Sequence, residues 1–169
     1  MILKQVFEIL ATTPEKLTDE VSSFSRREMQ TRPAPHKWSV QEVLAHLDDL
    51  EEIGMRSRVA AMIEQDGPIL NSIDPDARAT EMSYQSRDAR KSLASFTRQR
   101  RANLKWLEKL RPAQLRCKGT HPKVGEITVE ELVTEWAFHD LSHLRQILEI
   151  KRYALYPRIG NMRAFYQLS

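Results

Sequence analysis

Apolar side chains recur along the chain at the spacing of one face of an α-helix. The first such series starts at Leu3, ends at Phe24 and keeps its spacing across Pro14. It predicts either one helix that continues through the proline or two short helices in line, because Pro14 also fits the first position of a new helix. The segment 31–37 contains two prolines and is predicted to be a connector.

Three further series predict helices over residues 39–64, 87–110 and 129–151. Two of these helices start at a capping box, a Ser/Thr-x-x-Glu motif in which each side chain satisfies a free backbone N–H group. The boxes pair Ser39 with Glu42 and Thr128 with Glu131. Four long helices joined by loops predict an all-α four-helix bundle, and no strand is needed to complete it.

The last residues differ in character from the predicted bundle. Residues 1–151 are expected to form one domain, and the tail 152–169 carries four aromatic side chains, Tyr153, Tyr156, Phe165 and Tyr166. Large aromatic side chains favour burial. We therefore expect the tail to pack across one end of the bundle or against a second copy of the chain.

The composition is typical of a single soluble domain. The chain has 169 residues, of which 41% are hydrophobic and 29% are charged. No apolar run approaches the roughly 18 residues of a membrane-spanning helix, and we expect no signal peptide because the N-terminus has no small-residue cleavage site. Cys117 is the single cysteine, which excludes an internal disulfide and fits a reducing compartment. These features predict a cytoplasmic protein that does not associate with membranes.

Positive charge is concentrated in the third predicted helix and the residues around it. The net charge of the chain is only +3, but residues 86–118 contain 11 Lys and Arg against two acidic residues. Such a segment could attract nucleic acid or an anionic substrate, or it could be a solvated face that complements an acidic remainder. Zinc-finger spacing and aromatic RNA-binding motifs are absent from the sequence, so nucleic-acid binding has the least support.

Three histidines occupy positions that the helical pattern otherwise gives to apolar side chains. His139 and His143 are four residues apart on the fourth predicted helix, so their rings lie one turn apart on the same face. His46 lies between Val43 and Leu50 on the inward face of the second helix. Three imidazoles match the protein ligands of a catalytic metal site with an open fourth position. The alternative is three hydrogen-bonded core histidines, and the spacing alone leaves both readings open.

Other polar residues near these positions have candidate supporting roles. The acids within a turn of a histidine could orient its ring, and they are Glu42, Asp49, Glu135 and Asp140. Arg100 falls on the apolar face of the third helix, where it could bind an anionic group of a cofactor or substrate, or extend to the surface. His36 and His121 lie beside prolines in predicted loops and are expected to be exposed.

Two segments resemble a known family. They are WSVQEVLAHL at 38–47, and GEIT at 125–128 followed by EWAFHDLSHLRQI at 135–147. They are similar to the signature blocks of the DinB/YfiT-like metalloenzymes, and the resemblance extends from the first helix to about residue 151. It implies an antiparallel bundle, commonly dimeric, that holds a divalent ion, often zinc or nickel, with three histidines. Carried over to this sequence, the ligands are His46, His139 and His143.

The resemblance also implies an activity on a small-molecule substrate. Family members include S-transferases and isomerases that use low-molecular-weight thiols such as bacillithiol or mycothiol. An open three-histidine centre can stabilise a thiolate, or it can lower the pKa of a bound water to about 7 and support hydrolysis. The motif does not separate thiol transfer from hydrolysis. A bundle that binds a metal or ligand without turnover is a further alternative.

Overall fold

The computed structural model describes residues 2–168, which are mainly helical. The helices are α1 (Ile2–Ser22), α2 (Arg26–Gln30), α3 (Val40–Leu50), α4 (Ser57–Glu64), α5 (Pro75–Glu81), α6 (Ala89–Leu107), α7 (Pro112–Leu115) and α8 (Val129–Leu155). A π-helical segment, Glu51–Arg56, joins α3 to α4 without a break. Two strands, β1 (Lys118–His121) and β2 (Gly125–Thr128), precede α8.

Four long arms form a bundle, which confirms the predicted all-α fold. The first arm is α1, the second is the continuous run from α3 to the end of α4, the third is α6 and the fourth is α8. α1 packs on α6 and α8, and α3 packs mainly on α6. Apolar residues fill the interior in two clusters, one around Phe96 and Ile147 and the other around Leu10 and Trp136. Along α6 and α8, the polar residues Arg100, His139 and Asp140 fall between the members of these two clusters. The core is therefore divided by a polar layer.

The first arm is one helix that passes through Pro14, so the first of the two predicted alternatives is correct. Proline lacks an N–H group, and this leaves the carbonyl oxygen of Leu10 without its usual partner in the helix. Arg100 Nη1 donates a hydrogen bond of 3.0 Å to that oxygen. The proline thus creates an acceptor inside the bundle, and an arginine from another arm uses it.

The two predicted capping boxes start the helices that carry the three histidines. Ser39 Oγ accepts from the backbone N–H of Glu42, and the Glu42 carboxylate accepts from Ser39 N–H at 2.9 Å. Thr128 and Glu131 repeat the arrangement at the start of α8. The first box is buried, and Arg32 also donates to Glu42. These contacts fix where α3 and α8 begin, and therefore the faces on which the histidines lie.

The second arm departs from the regular helix that the sequence predicts. Within its π-helical segment, the N–H of Ser57 donates to the carbonyl oxygen of Glu52, five residues earlier. The wider turn changes which side chains face the core. Ile53, which the regular spacing places on the inward face, is only half-buried, whereas Gly54 and Met55 are buried.

The prediction that the chain needs no strand was wrong, because β1 and β2 form a small antiparallel hairpin in which Gly119 is opposite Ile127. Gly125 adopts a φ of 84°, which favours glycine, at the turn between the strands. Strands of four residues offer too few alternating positions to give a clear period-two pattern. The short helices α2, α5 and α7 lie in segments that the sequence analysis left as loops or helix ends.

The C-terminal tail is formed by short 3₁₀ turns over Tyr156–Arg158 and Gly160–Phe165. Within the single chain Phe165 is 78% exposed and Tyr166 is also exposed, whereas Tyr153 and Tyr156 are half-buried. Packing of the tail on the bundle or on a second copy of the chain stays a prediction. None of the helices found in residues 2–168 is both long and apolar enough to cross a bilayer.

Candidate metal centre

Three histidine side chains from two arms of the bundle meet at one point. His46 extends from α3, and His139 and His143 extend from successive turns of α8. The Nε2 atom of His139 lies 3.1 Å from Nε2 of His46 and 3.2 Å from Nε2 of His143. One ring nitrogen from each residue lies within 4.8 Å of the other two. The structure thus brings together the three residues that the sequence analysis selected.

The spacing and chemistry of these nitrogens fit a divalent metal ion. Zinc–nitrogen bonds of about 2.0–2.1 Å place two ligands of a tetrahedral ion about 3.3 Å apart, close to the separations observed here. A neutral imidazole nitrogen carries either one proton or one lone pair, so His139 Nε2 can form a well-directed hydrogen bond with only one of its two neighbours. Three lone pairs directed at one cation would satisfy all three rings at once.

Electrostatics keep these imidazoles in the neutral form that metal ligands require. Burial lowers the pKa of His46 to about 2, and the neighbouring rings of His143 and His139 act in the same direction. Burial also lowers the pKa of His139 to about 3, with contributions from His143 and Arg100. The pKa of His143 is lowered by burial too, although its hydrogen bond to Gln146 opposes the shift.

The second ring nitrogens have different surroundings from those that the sequence suggested. Nδ1 of His143 lies 2.8 Å from Oε1 of Gln146, one turn further along α8. Nδ1 of His46 is buried and has no hydrogen-bond partner among the described residues 2–168. The candidates near His46 are engaged elsewhere, since Asp49 accepts from Arg78 and Tyr84, and Glu42 belongs to the capping box. Gln146 was visible in the signature, but its role was not predicted.

Aromatic side chains surround the histidines. The ring of Trp38 makes an edge contact with His46, with centroids 4.9 Å apart, and stacks parallel to His143 at 6.5 Å. Trp38 Nε1 donates to Asp76 at 3.1 Å, which holds the indole in place. Tyr84 also makes an edge contact with His46, with centroids 6.2 Å apart. These rings restrict the orientations that the imidazoles can adopt.

A pocket of about 500 Å³ opens onto the three histidines. Its wall includes apolar side chains such as Leu50 and Met55, and the charged residues Arg58 and Glu135. His36 and His121 also line it, although both were predicted to be exposed loop residues. His36 is exposed as expected, whereas His121 is half-buried at the end of β1. The unpredicted hairpin explains this position, because it carries His121 to the pocket.

Glu135 contributes a carboxylate to the pocket wall. It lies on α8, one turn before the candidate ligand His139. Part of its side chain is open to solvent, but the surrounding concave surface removes enough water to raise the pKa of its carboxyl group above the ordinary value. Arg58 opposes this shift, and the charge of Asp140 adds to it. A carboxylate with a raised pKa in a pocket is suited to accepting and returning a proton.

Arg100 lies in the buried polar layer and not in the pocket. It is 1% exposed, and both Nε and Nη2 donate to Glu51 at 2.8 Å. Nη2 also donates to Asp140 at 2.9 Å, and Nη1 donates to Asp140 and to the carbonyl oxygen of Leu10. All five N–H donors of the guanidinium are engaged. No donor remains for the anionic ligand suggested by the sequence analysis, and the side chain does not reach the surface either.

Glu51 is a central acceptor of this buried network, and the sequence analysis did not identify it. Besides Arg100, its carboxylate accepts hydrogen bonds of 3.0 Å from Asn103 and from Nε1 of Trp136. Glu51 stands at the first position of the π-helical segment and is 2% exposed. It therefore joins three arms of the bundle. Asp140 completes the network directly beside His139 in the sequence of α8.

The chain is similar to known proteins in sequence and in structure. A sequence model of the DinB superfamily matches residues 9–147. No curated protein matches the chain. A solved structure with a similar fold is YfiT from Bacillus subtilis, described as a probable metal-dependent hydrolase with an unusual four-helix bundle topology. The TM-score is 0.81 at 22% identity, over 93% of this chain and 87% of that one, and at this identity the likeness shows the fold.

Proposed function

Because the chain belongs to the DinB superfamily, we propose that it is a metal-dependent hydrolase with a divalent ion at His46, His139 and His143. The observation that carries this proposal is the meeting of three Nε2 atoms at a pocket open to solvent. Three imidazole ligands suit several divalent metals, and zinc or nickel remains the prediction drawn from the family resemblance. We also propose that the protein acts in the cytoplasm, as its single cysteine suggests.

Hydrolysis is the reaction that the pocket supports best. A divalent ion at such a site acts as a Lewis acid and lowers the pKa of a bound water to about 7. Glu135 would accept a proton from the attacking water and return it to the leaving group, since its raised pKa suits both steps. Trp38 and Met55 would exclude bulk water from one side of the reacting group. The description of YfiT as a probable metal-dependent hydrolase supports the same reaction.

The test is hydrolysis of a panel of small esters and amides by the metal-loaded protein. We expect turnover that disappears on chelation and returns when the metal is restored. In Glu135→Gln, kcat should fall by about 10²–10⁴-fold while the metal content stays unchanged. The matched control is Glu130→Gln, which removes an exposed carboxylate from the first turn of the same helix and should leave kcat unchanged.

The same panel distinguishes the alternatives. Turnover that survives in Glu135→Gln would exclude this side chain as the proton acceptor. Product formation only in the presence of a low-molecular-weight thiol would replace hydrolysis by thiol transfer, which the family resemblance also implies. A protein that keeps its metal but turns over neither class of substrate would be a non-catalytic binding bundle.

We further propose that two copies of the chain associate through the outer face of α8. Leu141, Leu148 and Leu155 are exposed and seven residues apart, so they form one apolar stripe on that helix. Leu155 at the end of this stripe lines a surface pocket together with Met162 and Tyr166 of the tail, which are also exposed. A second copy with the same stripe would bury both surfaces.

Solution scattering at working concentration should give twice the mass of one chain. The double variant Leu141→Asp/Leu148→Asp should give the mass of one chain, because charges placed in an apolar interface oppose association. Val124→Asp, at an exposed apolar residue of the hairpin turn, is the matched control and should keep the doubled mass. A wild-type protein with the mass of one chain would contradict the dimer.

A further inference from the structure

Arg58 extends from α4 into the wall of the pocket that contains the three histidines. A guanidinium group has five N–H donors. Arg58 makes one hydrogen bond, from Nη2 to the carbonyl oxygen of Asn71. Its Nε atom is buried and has no partner among residues 2–168. Most of its donors are therefore not used by the protein.

The contrast with Arg100 shows that this arrangement is unusual within the molecule. Arg100 engages every donor with two carboxylates and a backbone carbonyl. Arg58 forms no ion pair within the described residues, including with Glu135 in the same wall. A partly buried guanidinium with no carboxylate partner is costly unless a ligand provides the missing acceptors.

The surroundings of Arg58 favour a negatively charged ligand group. Burial lowers the pKa of Arg58 from its ordinary value, with Glu135 opposing the shift, but a guanidinium stays protonated in proteins. Burial lowers the pKa of His121, and the nearby charge of Arg58 acts in the same direction. Arg58 thus presents a fixed positive charge to a pocket that also has apolar walls, and its planar fork matches the oxygens of a carboxylate or phosphate.

We propose that Arg58 binds an oxyanion, a carboxylate or phosphate group, of the substrate whose reacting bond lies at the histidines. This deepens the function proposed above and rests on it, because both groups of the substrate occupy the same pocket. The substrate class is then a small molecule with a hydrolysable bond and a separate acidic group. Arg58 takes the role that the sequence analysis had offered to Arg100.

The direct test follows the Nε–H resonance of Arg58 by NMR in the full-length, metal-loaded protein. The signal is assigned by its loss in Arg58→Lys. Propionate and methyl phosphate serve as oxyanion probes, and propionamide serves as the neutral counterpart of propionate. We expect the resonance to shift with at least one oxyanion and to stay in place with the amide. A resonance that no oxyanion shifts would overturn the proposal.

Affinity measurements on variants provide the second readout. Arg58→Gln should weaken oxyanion binding by about 10- to 100-fold, and Arg58→Lys should weaken it less. Arg56→Gln is the matched control, because Arg56 stacks on Trp106 and does not line the pocket, and its binding should equal that of the wild type. Oxyanion binding that is equal in Arg58→Gln and the wild type would show that Arg58 only anchors the loop at Asn71.

Repeating the titration in the variant His46→Ala/His139→Ala/His143→Ala separates this inference from the proposed function. In that variant the histidine ligands are gone, so any oxyanion shift at Arg58 arises without a metal. If the wild-type protein itself binds no metal and an oxyanion still shifts the Arg58 resonance, the hydrolase is refuted and the anion site is retained. Metal-dependent turnover without any shift at Arg58 would refute the anion site and retain the hydrolase.

Discussion

Purified without added metal or chelator, the wild-type protein should contain about one divalent ion per chain, and His46→Ala/His139→Ala/His143→Ala should contain none. Nε2 of His139 already stands at ligand spacing from Nε2 of His46 and of His143, and a ring nitrogen of each histidine lies within 4.8 Å of the other two, so little reorganisation is needed for binding. Their neutral state at physiological pH adds no cost of deprotonation. Elemental mass spectrometry of both proteins measures the metal content directly.

The matched control for metal content is the double variant His36→Ala/His121→Ala. Both histidines line the same pocket but stand outside the three-histidine group, so this variant should keep its ion. Its thermal midpoint should rise with added metal as the wild type's does, whereas the triple variant should show no such rise. No metal in the wild type, even after reconstitution with several divalent ions, would refute the metal centre and leave three core histidines.

Replacing Arg100 by alanine should reduce the free energy of unfolding by about 3–5 kcal/mol, because Glu51 and Asp140 would be left as buried charges without a counterion. The carbonyl oxygen of Leu10 would also lose its donor, since Pro14 provides none. Urea unfolding followed by circular dichroism measures the change. A loss this large approaches the whole stability of many domains, so the variant is expected to unfold at low urea or not to fold.

Arg101→Ala provides the matched control for Arg100→Ala. It removes the same side chain from the next position of α6, where the arginine is exposed, and should change stability by less than about 0.5 kcal/mol. A second variant, Arg100→Met/Glu51→Gln/Asp140→Asn, removes all three charges together and should recover part of the loss. Equal stability of Arg100→Ala and Arg101→Ala would show that the polar layer contributes nothing to folding.

The three residues of the candidate metal centre could be selected from the sequence because each lies on a helix with a regular pattern. His139 and His143 share a face by their spacing alone, and His46 interrupts an apolar face in the same way. Whether two faces from different arms meet is a tertiary fact that spacing cannot give; the family resemblance supplied that link. The capping boxes at Ser39 and Thr128 could also be predicted from the sequence, because a capping box is a contact between residues only three positions apart.

The partners of the polar layer could not be predicted because they are far apart in sequence. Arg100 was recognised as a polar residue on an apolar face, but its acceptor Glu51 is 49 positions away and its acceptor Asp140 is 40 positions away. A local pattern cannot distinguish an arginine that meets buried acids from one that faces a ligand. The hairpin was missed for a related reason, since its short strands gain stability from pairing and from the contact of Thr120 with the loop at Ile69.

The π-helical turn in the second arm sets the angle around the helix axis between the side chains of His46 and Arg58. An α-helix advances about 100° per residue, so twelve residues would leave these side chains about 120° apart around the axis. One additional residue taken up by the wider turn reduces that difference to about 20°, which places both side chains toward one cavity. In relatives with a one-residue deletion here, the histidine would keep its place while a different side chain replaced the arginine. If Arg58 binds the substrate as proposed, a change in the length of this turn would alter which substrates such a protein accepts while leaving the three histidines in place.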